Sequence, residues 1–262
     1  MTRILRTTRR LSALARAIHL ARRESKASAD LSDCAVWQQR QARRMLAALD
    51  VRVSVTGTLP LQGLVVCNHL SYLDVLVLAA QGPAIFVAKS DVRKWPVIGN
   101  LLESAGTILA RRGRPMTAKT TAGQIREVFA AGLPVILFPE GTSTDGSSIL
   151  PFKPTLLQTA LDAGVPVTPA AISYQTDDGN AADDICYRGD AVFLPHLIRL
   201  AGLESIHAAL LIGISRNLPS NRKLAASQLH GDAAALLARI RDPRCESSGN
   251  AGAISDRQTG CS

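Results

Sequence analysis

The chain has 262 residues, is 47% hydrophobic and 19% charged, and carries a net charge of +9. That composition can bury a sizeable core and excludes a wholly disordered, collagen-like or low-complexity chain. No repeat period is visible. The five cysteines, Cys34, Cys67, Cys186, Cys245 and Cys261, include no C-x-x-C pair. Neither a zinc site nor a disulfide framework is expected, and reduced thiols are the default.

Within the first fifty residues, eleven Arg/Lys face four acids, a surplus of seven; the other 212 residues carry a surplus of two. The basicity therefore belongs to the N-terminus. Ile4, Leu11, Leu14 and Ile18 recur near the helical period with arginines between them. Val36 to Leu49 places Trp37, Met45, Leu46 and Leu49 beside Arg40, Arg43 and Arg44. Basic amphipathic helices with a Trp suit a lipid headgroup region. Residues 1–50 are thus expected to form a helical membrane-contact segment. Packing of both helices on the main domain, with solvated arginines, is the plain alternative, and nucleic-acid binding the less favoured one. No apolar run reaches the ~18–20 residues needed to span a bilayer. Arginines interrupt Met1 to Arg23, so no signal peptide is expected.

From Val51 the texture changes. Short β-branched runs predict strands at Val51–Val55, Leu64–Cys67, Ala84–Ala88, Thr107–Ala110, Pro134–Phe138, Pro166–Tyr174 and Leu210–Ser215. Helical patterns such as Thr117–Ala131 and Thr155–Ala163 lie between them, each followed by Gly. The alternation predicts an α/β domain over residues 51–242, with a mainly parallel sheet flanked by helices. Residues 175–190 read as a polar loop. The stretch 243–262 reads as a disordered tail.

Two strand ends run straight into polar residues, where such sheets gather their chemistry. In Asn68-His69-Leu-Ser71-Tyr-Leu-Asp74, His69 is a candidate general base, and Asp74 a carboxylate to fix its tautomer. Five residues on one regular helix stand about 140° apart. The pair can meet only if His69 sits in the loop and Asp74 in the first turns of the next helix, with Asn68 or Ser71 available as a cap. The second strand end, Phe138-Pro139-Glu140-Gly141-Thr142, opens a Gly- and Ser-rich loop.

In chain order the motifs are Asn68-His69-x-Ser71-x-x-Asp74, Gly106 to Arg112, Phe138 to Thr142, and Val165-Pro166-Val167-Thr168-Pro169. This series resembles the four motif blocks of the glycerolipid acyltransferase family, typified by 1-acyl-glycerol-3-phosphate acyltransferase, over roughly residues 51–215. The resemblance implies acyl transfer from an acyl thioester, acyl-CoA or acyl carrier protein, to the hydroxyl of a membrane lysolipid. No cofactor, metal or nucleic acid is implied, and the expected location is peripheral, on the cytoplasmic face of a membrane. It makes His69 the general base and Asp74 its orienting partner, with no acyl-enzyme. Arg111 and Arg112, with Glu140, Gly141 and Thr142, become acceptor-binding residues. Asn68, Ser71, Gly106 and Pro166 complete the motifs. The first expectation for the acceptor is 1-acyl-glycerol-3-phosphate, giving phosphatidic acid. Ser143 departs from the Arg common at that position, which removes a bidentate phosphate ligand. The segment Glu140 to Lys153 also resembles members that acylate lyso-ornithine lipid, the alternative acceptor.

Rival classes lack their signatures. No G-x-S-x-G elbow for a serine hydrolase exists, since Gly141 to Gly146 is one residue too long. A dense His/Asp cluster with metal spacing is missing. A non-catalytic lipid-binding module would leave the His-Asp pair unexplained.

Overall fold

The computed structural model describes residues 2–25, 30–94, 98–110 and 115–242. Arg111, Arg112 and the expected tail 243–262 lie outside the described residues.

Two helices, α1 (Arg3–Glu24) and α2 (Leu31–Leu49), precede a seven-stranded sheet. The strands are β1 (Val51–Thr56), β2 (Gly63–Cys67), β3 (Ile85–Lys89), β4 (Ile108–Ala110), β5 (Pro134–Leu137), β6 (Val167–Gln175) and β7 (Ile206–Ile212). Between and after them come α3 (Leu73–Ala79), α4 (Ile98–Ser104), α5 (Pro115–Ala130), α6 (Leu157–Asp162), α7 (Ala181–Asp184), α8 (Phe193–Ala201) and α9 (Arg222–Arg241). The spatial order is β1-β7-β6-β2-β5-β3-β4. All pairings are parallel except β6 with β7.

The central strands are buried on both faces, which is why they read as continuous apolar runs. Side chains alternate between the faces. Val65 and Cys67 of β2 join a core with Leu14, Leu46, Leu49, Val77, Leu197 and Leu200. Leu64 and Val66 join the opposite core with Ile125, Val128, Leu157, Leu229 and Leu237. Thus α1, α3 and α8 contribute to one side and α5, α6 and α9 to the other, while α2 gives Leu46 and Leu49 to the first and Cys34 and Ala35 to the second.

Strand β7 begins at Ile206, four residues before the predicted Leu210. Its burial alternates between buried and half-buried positions, and Ile206 to Ala209 pair with Val51 to Ser54 of β1. The short apolar run concealed this longer alternating strand. The polar segment after β6 holds a turn of helix, α7, capped by Asn180, whose side chain accepts from Ala182 N–H. Helix α8 buries His196, Leu197, Leu200 and Ala201 and turns Leu194, Ile198 and Arg199 outward; at nine residues it is shorter than the window in which a helical period is legible.

The largest difference concerns the N-terminal helices. Leu14, Trp37, Leu46 and Leu49, which carry the expectation of lipid contact, are buried inside the protein. Trp37 packs with Ala21, Leu101 and Ala105. Arg10 is also buried; it donates to the carbonyl of Leu203 at 2.5 Å and pairs with Asp50 at 3.2 Å. Helical periodicity identifies an apolar face but not what covers it: the protein's own core covers Leu14, Trp37, Leu46 and Leu49, while Ile4 of the same stripe stays 77% exposed. Among the described residues, no helix is long and apolar enough to cross a membrane.

Candidate active site

The fully buried strand β2 delivers Asn68 and His69 at its carboxyl end. Asn68 extends the strand pairing with its side chain. Its Nδ2 donates to Ile172 O (3.0 Å) and its Oδ1 accepts from Ile172 N–H (2.8 Å), on β6. The chain leaves the sheet there, and α3 begins four residues later.

Asp74, in the first turn of α3, is completely buried and reaches back to His69. Its Oδ2 lies 2.7 Å from His69 Nδ1 and also accepts from Leu70 N–H (2.6 Å) and Ser71 N–H (2.9 Å). Its Oδ1 accepts from the phenolic O–H of Tyr174 on β6, at 2.7 Å. Four donors thus satisfy a buried carboxylate, as burial requires. An ionised carboxylate only accepts, so Nδ1 carries the proton and Nε2 offers a lone pair. The His69 side chain keeps 24% of its surface exposed, against none for Asp74, so Nε2 is the nitrogen open to a bound hydroxyl. Phe138 stacks on the imidazole, with centroids 4.2 Å apart and planes 20° from parallel.

Glu140 ties the second motif loop to the first. Oε1 accepts from His69 N–H at 2.7 Å and Oε2 from Leu150 N–H at 2.8 Å. Burial raises its carboxyl above the usual range, opposed by those two N–H donors. With both oxygens engaged by backbone, Glu140 positions the loop that carries His69. Gly141 turns the chain at φ +70°, its N–H donating to Phe138 O. Thr142 is exposed. Further clamps come from Thr144 N–H to His69 O (2.9 Å) and Tyr187 N–H to Leu70 O (2.8 Å). Ser143 Oγ donates to Tyr187 O, fastening the loop instead of offering a cation.

The remaining motif residues stand in the scaffold. Gly106, at φ +63°, sits where an added Cβ would lie 3.1 Å from Ile85 and 3.2 Å from Cys34, so it permits α2 to approach the sheet. Pro166 O accepts from Leu64 N–H at 3.0 Å, at the start of the β2–β6 pairing. Ser71 Oγ is buried, and its N–H is one of the Asp74 donors. The fold therefore gathers Asn68, His69, Ser71, Asp74 and Glu140 at one end of β2, with Gly106 and Pro166 in the framework around it.

Sequence reasoning missed Tyr174 and Phe138 as site residues. The one available signal for Tyr174 was a phenol closing an apolar strand. Burial raises its hydroxyl far above the ordinary phenol range, helped by the nearby Asp74 charge, so it stays a donor. Burial likewise raises Cys67, reinforced by Asp74 and Glu140, and pushes Cys186 up to about 12. Neither thiol supplies a thiolate at neutral pH. Among the described residues, no group of three or more His, Cys, Asp and Glu converges as metal ligands would.

Comparison with known proteins places this geometry among relatives. The family model described as Acyltransferase matches residues 50–173. The chain is similar to the lyso-ornithine lipid O-acyltransferase of Pseudomonas aeruginosa, 38% identical over 219 residues, which cover 79% of this chain and 83% of that protein. It is also similar to the 1-acyl-sn-glycerol-3-phosphate acyltransferase of Neisseria meningitidis, 35% identical over 140 residues, which cover 52% of this chain but only 55% of that enzyme. The crystal structure of the 1-acyl-sn-glycerophosphate acyltransferase PlsC from Thermotoga maritima superposes with a TM-score of 0.67 at 18% identity, over 91% of this chain and 96% of that one. At that identity the likeness is one of fold.

Proposed function

The chain belongs to the acyltransferase family, as a lysolipid O-acyltransferase, and within it we propose that the acceptor is lyso-ornithine lipid and that His69 is the general base. The observation that carries the chemistry is the His69–Asp74 pair, a part-exposed imidazole fastened by a buried, four-fold satisfied carboxylate.

In the proposed reaction, His69 Nε2 takes the proton of the acceptor hydroxyl as its oxygen attacks the thioester carbonyl. Asp74 holds the imidazolium that forms. The tetrahedral intermediate collapses, the C–S bond breaks, and the imidazolium returns its proton to the departing thiolate. The ester and the free thiol leave, and His69 is regenerated. Direct transfer agrees with a site whose neighbouring thiols stay protonated and whose Ser71 hydroxyl is buried. The donor is acyl-CoA or acyl carrier protein. Arg111 and Arg112 keep the acceptor-binding role that the motif resemblance implies, and the enzyme works at the cytoplasmic surface of a membrane.

Two observations move lyso-ornithine lipid ahead of the 1-acyl-glycerol-3-phosphate expected first. Similarity to the lyso-ornithine lipid enzyme extends over most of both chains, whereas that to the Neisseria enzyme covers about half. Ser143, where a guanidinium would meet a phosphate, is spent on the Tyr187 carbonyl. The test presents labelled acyl-CoA or acyl carrier protein to both acceptors side by side, with His69→Ala as the blank. Transfer to lyso-ornithine lipid alone is expected. Preference for lysophosphatidate would return the protein to phospholipid synthesis with the same chemistry.

A further inference from the structure

Two segments distant in sequence are fastened side by side onto the backbone that carries His69. Thr144 N–H donates to His69 O at 2.9 Å, and Tyr187 N–H donates to the next carbonyl, Leu70 O, at 2.8 Å. The segments are also joined to each other, by Ser143 Oγ to Tyr187 O and by Cys186 Sγ to Asp145 O at 3.6 Å. The residue that follows each clamp is charged: Asp145 after Thr144, and Arg188 after Tyr187. Neither lies in the four motif blocks, and the proposed chemistry uses neither.

Asp145 is half-buried. Its Oδ1 accepts from Ser147 N–H at 2.9 Å. The Ser147 donors, helped by the nearby Arg188 charge, hold its carboxyl below the ordinary carboxylate range, so it is ionised at neutral pH. A carboxylate accepts about four hydrogen bonds, so this turn leaves room for a further donor. Arg188 pairs with Asp183 at 3.1 Å, with both side chains about half exposed. An exposed pair of that kind gives way to a better partner at little cost. The guanidinium also has donors enough for a second carboxylate. Of the other charges near these segments, Arg241 is engaged by the carbonyls of Gly146 and Ser147, and Asp190 stands exposed two residues beyond Arg188.

One charge of each sign beside the general base sorts head groups by their own charges. A phosphomonoester brings negative charge only, which Asp145 repels. Ornithine joined to a fatty chain through its α-nitrogen keeps an α-carboxylate and a side-chain ammonium, one group for each residue. Ser143, two residues before Asp145, withholds the guanidinium that a phosphate would use.

We propose that Asp145 and Arg188 form the head-group subsite of the acceptor, Asp145 taking the ammonium of a zwitterionic amino-acid head group and Arg188 its carboxylate. The proposal rests on the lyso-ornithine reading above and names the residues that make the selection.

The test measures acyl transfer by the full chain and by Asp145→Asn, Arg188→Gln and Asp190→Asn. The acceptors are lyso-ornithine lipid, its derivative acetylated on the side-chain amine, and lysophosphatidate. Asp145→Asn keeps an oxygen to receive Ser147 N–H, so the parental melting transition is expected. Its KM for lyso-ornithine lipid should rise about tenfold with kcat little changed, the size of one charge-assisted hydrogen bond in a part-exposed site. Acetylating the acceptor should raise the KM of the unaltered protein by a similar factor. It should not raise that of Asp145→Asn further, because the ammonium has already lost its partner. Arg188→Gln should raise the KM for lyso-ornithine lipid and for its acetylated form alike. Asp145→Asn should transfer to lysophosphatidate no less than the parent does, and Asp190→Asn should match the parent throughout. A parental KM in Asp145→Asn, additive effects of acetylation and substitution, or an equal loss in Asp190→Asn overturns the subsite and leaves the acceptor reading standing. Transfer by the unaltered protein to lysophosphatidate but not to lyso-ornithine lipid overturns both.

Discussion

Tyr174, a hundred residues beyond Asp74 in the chain, donates its hydroxyl to Asp74 Oδ1 at 2.7 Å, while Oδ2 of the same carboxylate meets His69. The sheet makes this possible, because β6 lies beside β2. Tyr174 therefore positions the residue that positions His69. Replacing it by Phe leaves a buried carboxylate oxygen without its donor, a loss of about 1–3 kcal/mol. Tyr174→Phe is expected to keep the fold, melt at lower temperature and lose roughly tenfold or more in kcat, since Asp74 is then less firmly held. Unaltered kcat in single-turnover assays would dismiss the positioning role.

His69→Ala removes the base and should lower kcat/KM by roughly 10²–10⁴-fold or more while leaving the circular dichroism spectrum intact. Asp74→Asn should cost a comparable factor for a different reason. The amide presents one acceptor and two N–H donors where four donors converge, so it opposes the Nδ1–H tautomer and unsettles the Leu70 and Ser71 N–H groups. Asp74→Asn should therefore also destabilise the protein, which His69→Ala should not. Parallel rate and denaturant measurements separate the two.

Glu140→Gln tests whether that residue binds acceptor or holds the loop. One amide face would oppose its N–H group to a backbone N–H, either of His69 or of Leu150. The expected result is a stability loss of about 1–3 kcal/mol with kcat reduced more than KM is raised. A large rise in KM at unchanged stability would instead assign Glu140 to the acceptor.

His196 gives a pH signature. Burial lowers its pKa below the ordinary 6.5. A group with a depressed folded pKa contributes stability above its unfolded pKa and loses it as the pH falls through the folded value. Acidification below about 6.5 should thus weaken the protein, because the buried ring must charge beside Tyr72 and the Cys186 carbonyl. His196→Gln should flatten that part of the curve, read as urea midpoints across the acid range. Identical slopes for the two proteins would exclude His196 as the source.

Arg10→Ala should unfold the contact between α1 and the loop after α8. The guanidinium is buried, bonds the Leu203 carbonyl and pairs with Asp50. Loss of about 2–4 kcal/mol is expected, mostly from the abandoned carbonyl and the lost packing. A melting temperature within experimental error of the parent would show that α1 is held by its apolar contacts alone.

Much of the fold was legible because it rests on local patterns. β-branched and apolar runs marked six of the seven strands within a residue or two; the central ones, buried on both faces, have few polar positions to interrupt them, while the exposed β1 alternates Val with Arg, Ser and Thr. The His69–Asp74 pair was legible because a strand end, a loop and a helix start lie within eight residues, and five-residue spacing allows only one way for the pair to meet. The start of β7 was misplaced because polar His207 and the small Ala208 and Ala209 stand between Ile206 and the leucine-rich run that begins at Leu210. α8 escaped because its nine residues are shorter than the window over which a helical period is legible.

What the chain determined by itself was local: where strands end, which residue types cluster there, and which helices have an apolar stripe. The tertiary structure decided everything that depends on neighbours distant in sequence. Tyr174 and Phe138 reach His69 and Asp74 only because β6 and β5 flank β2. The N-terminal helices were readable as amphipathic, but only packing revealed that Trp37 and Leu14 turn inward while Leu194 and Ile198 turn outward. A hydrophobic period measures the composition of a face. Whether protein, water or lipid lies against that face is set by the three-dimensional arrangement of the rest of the chain.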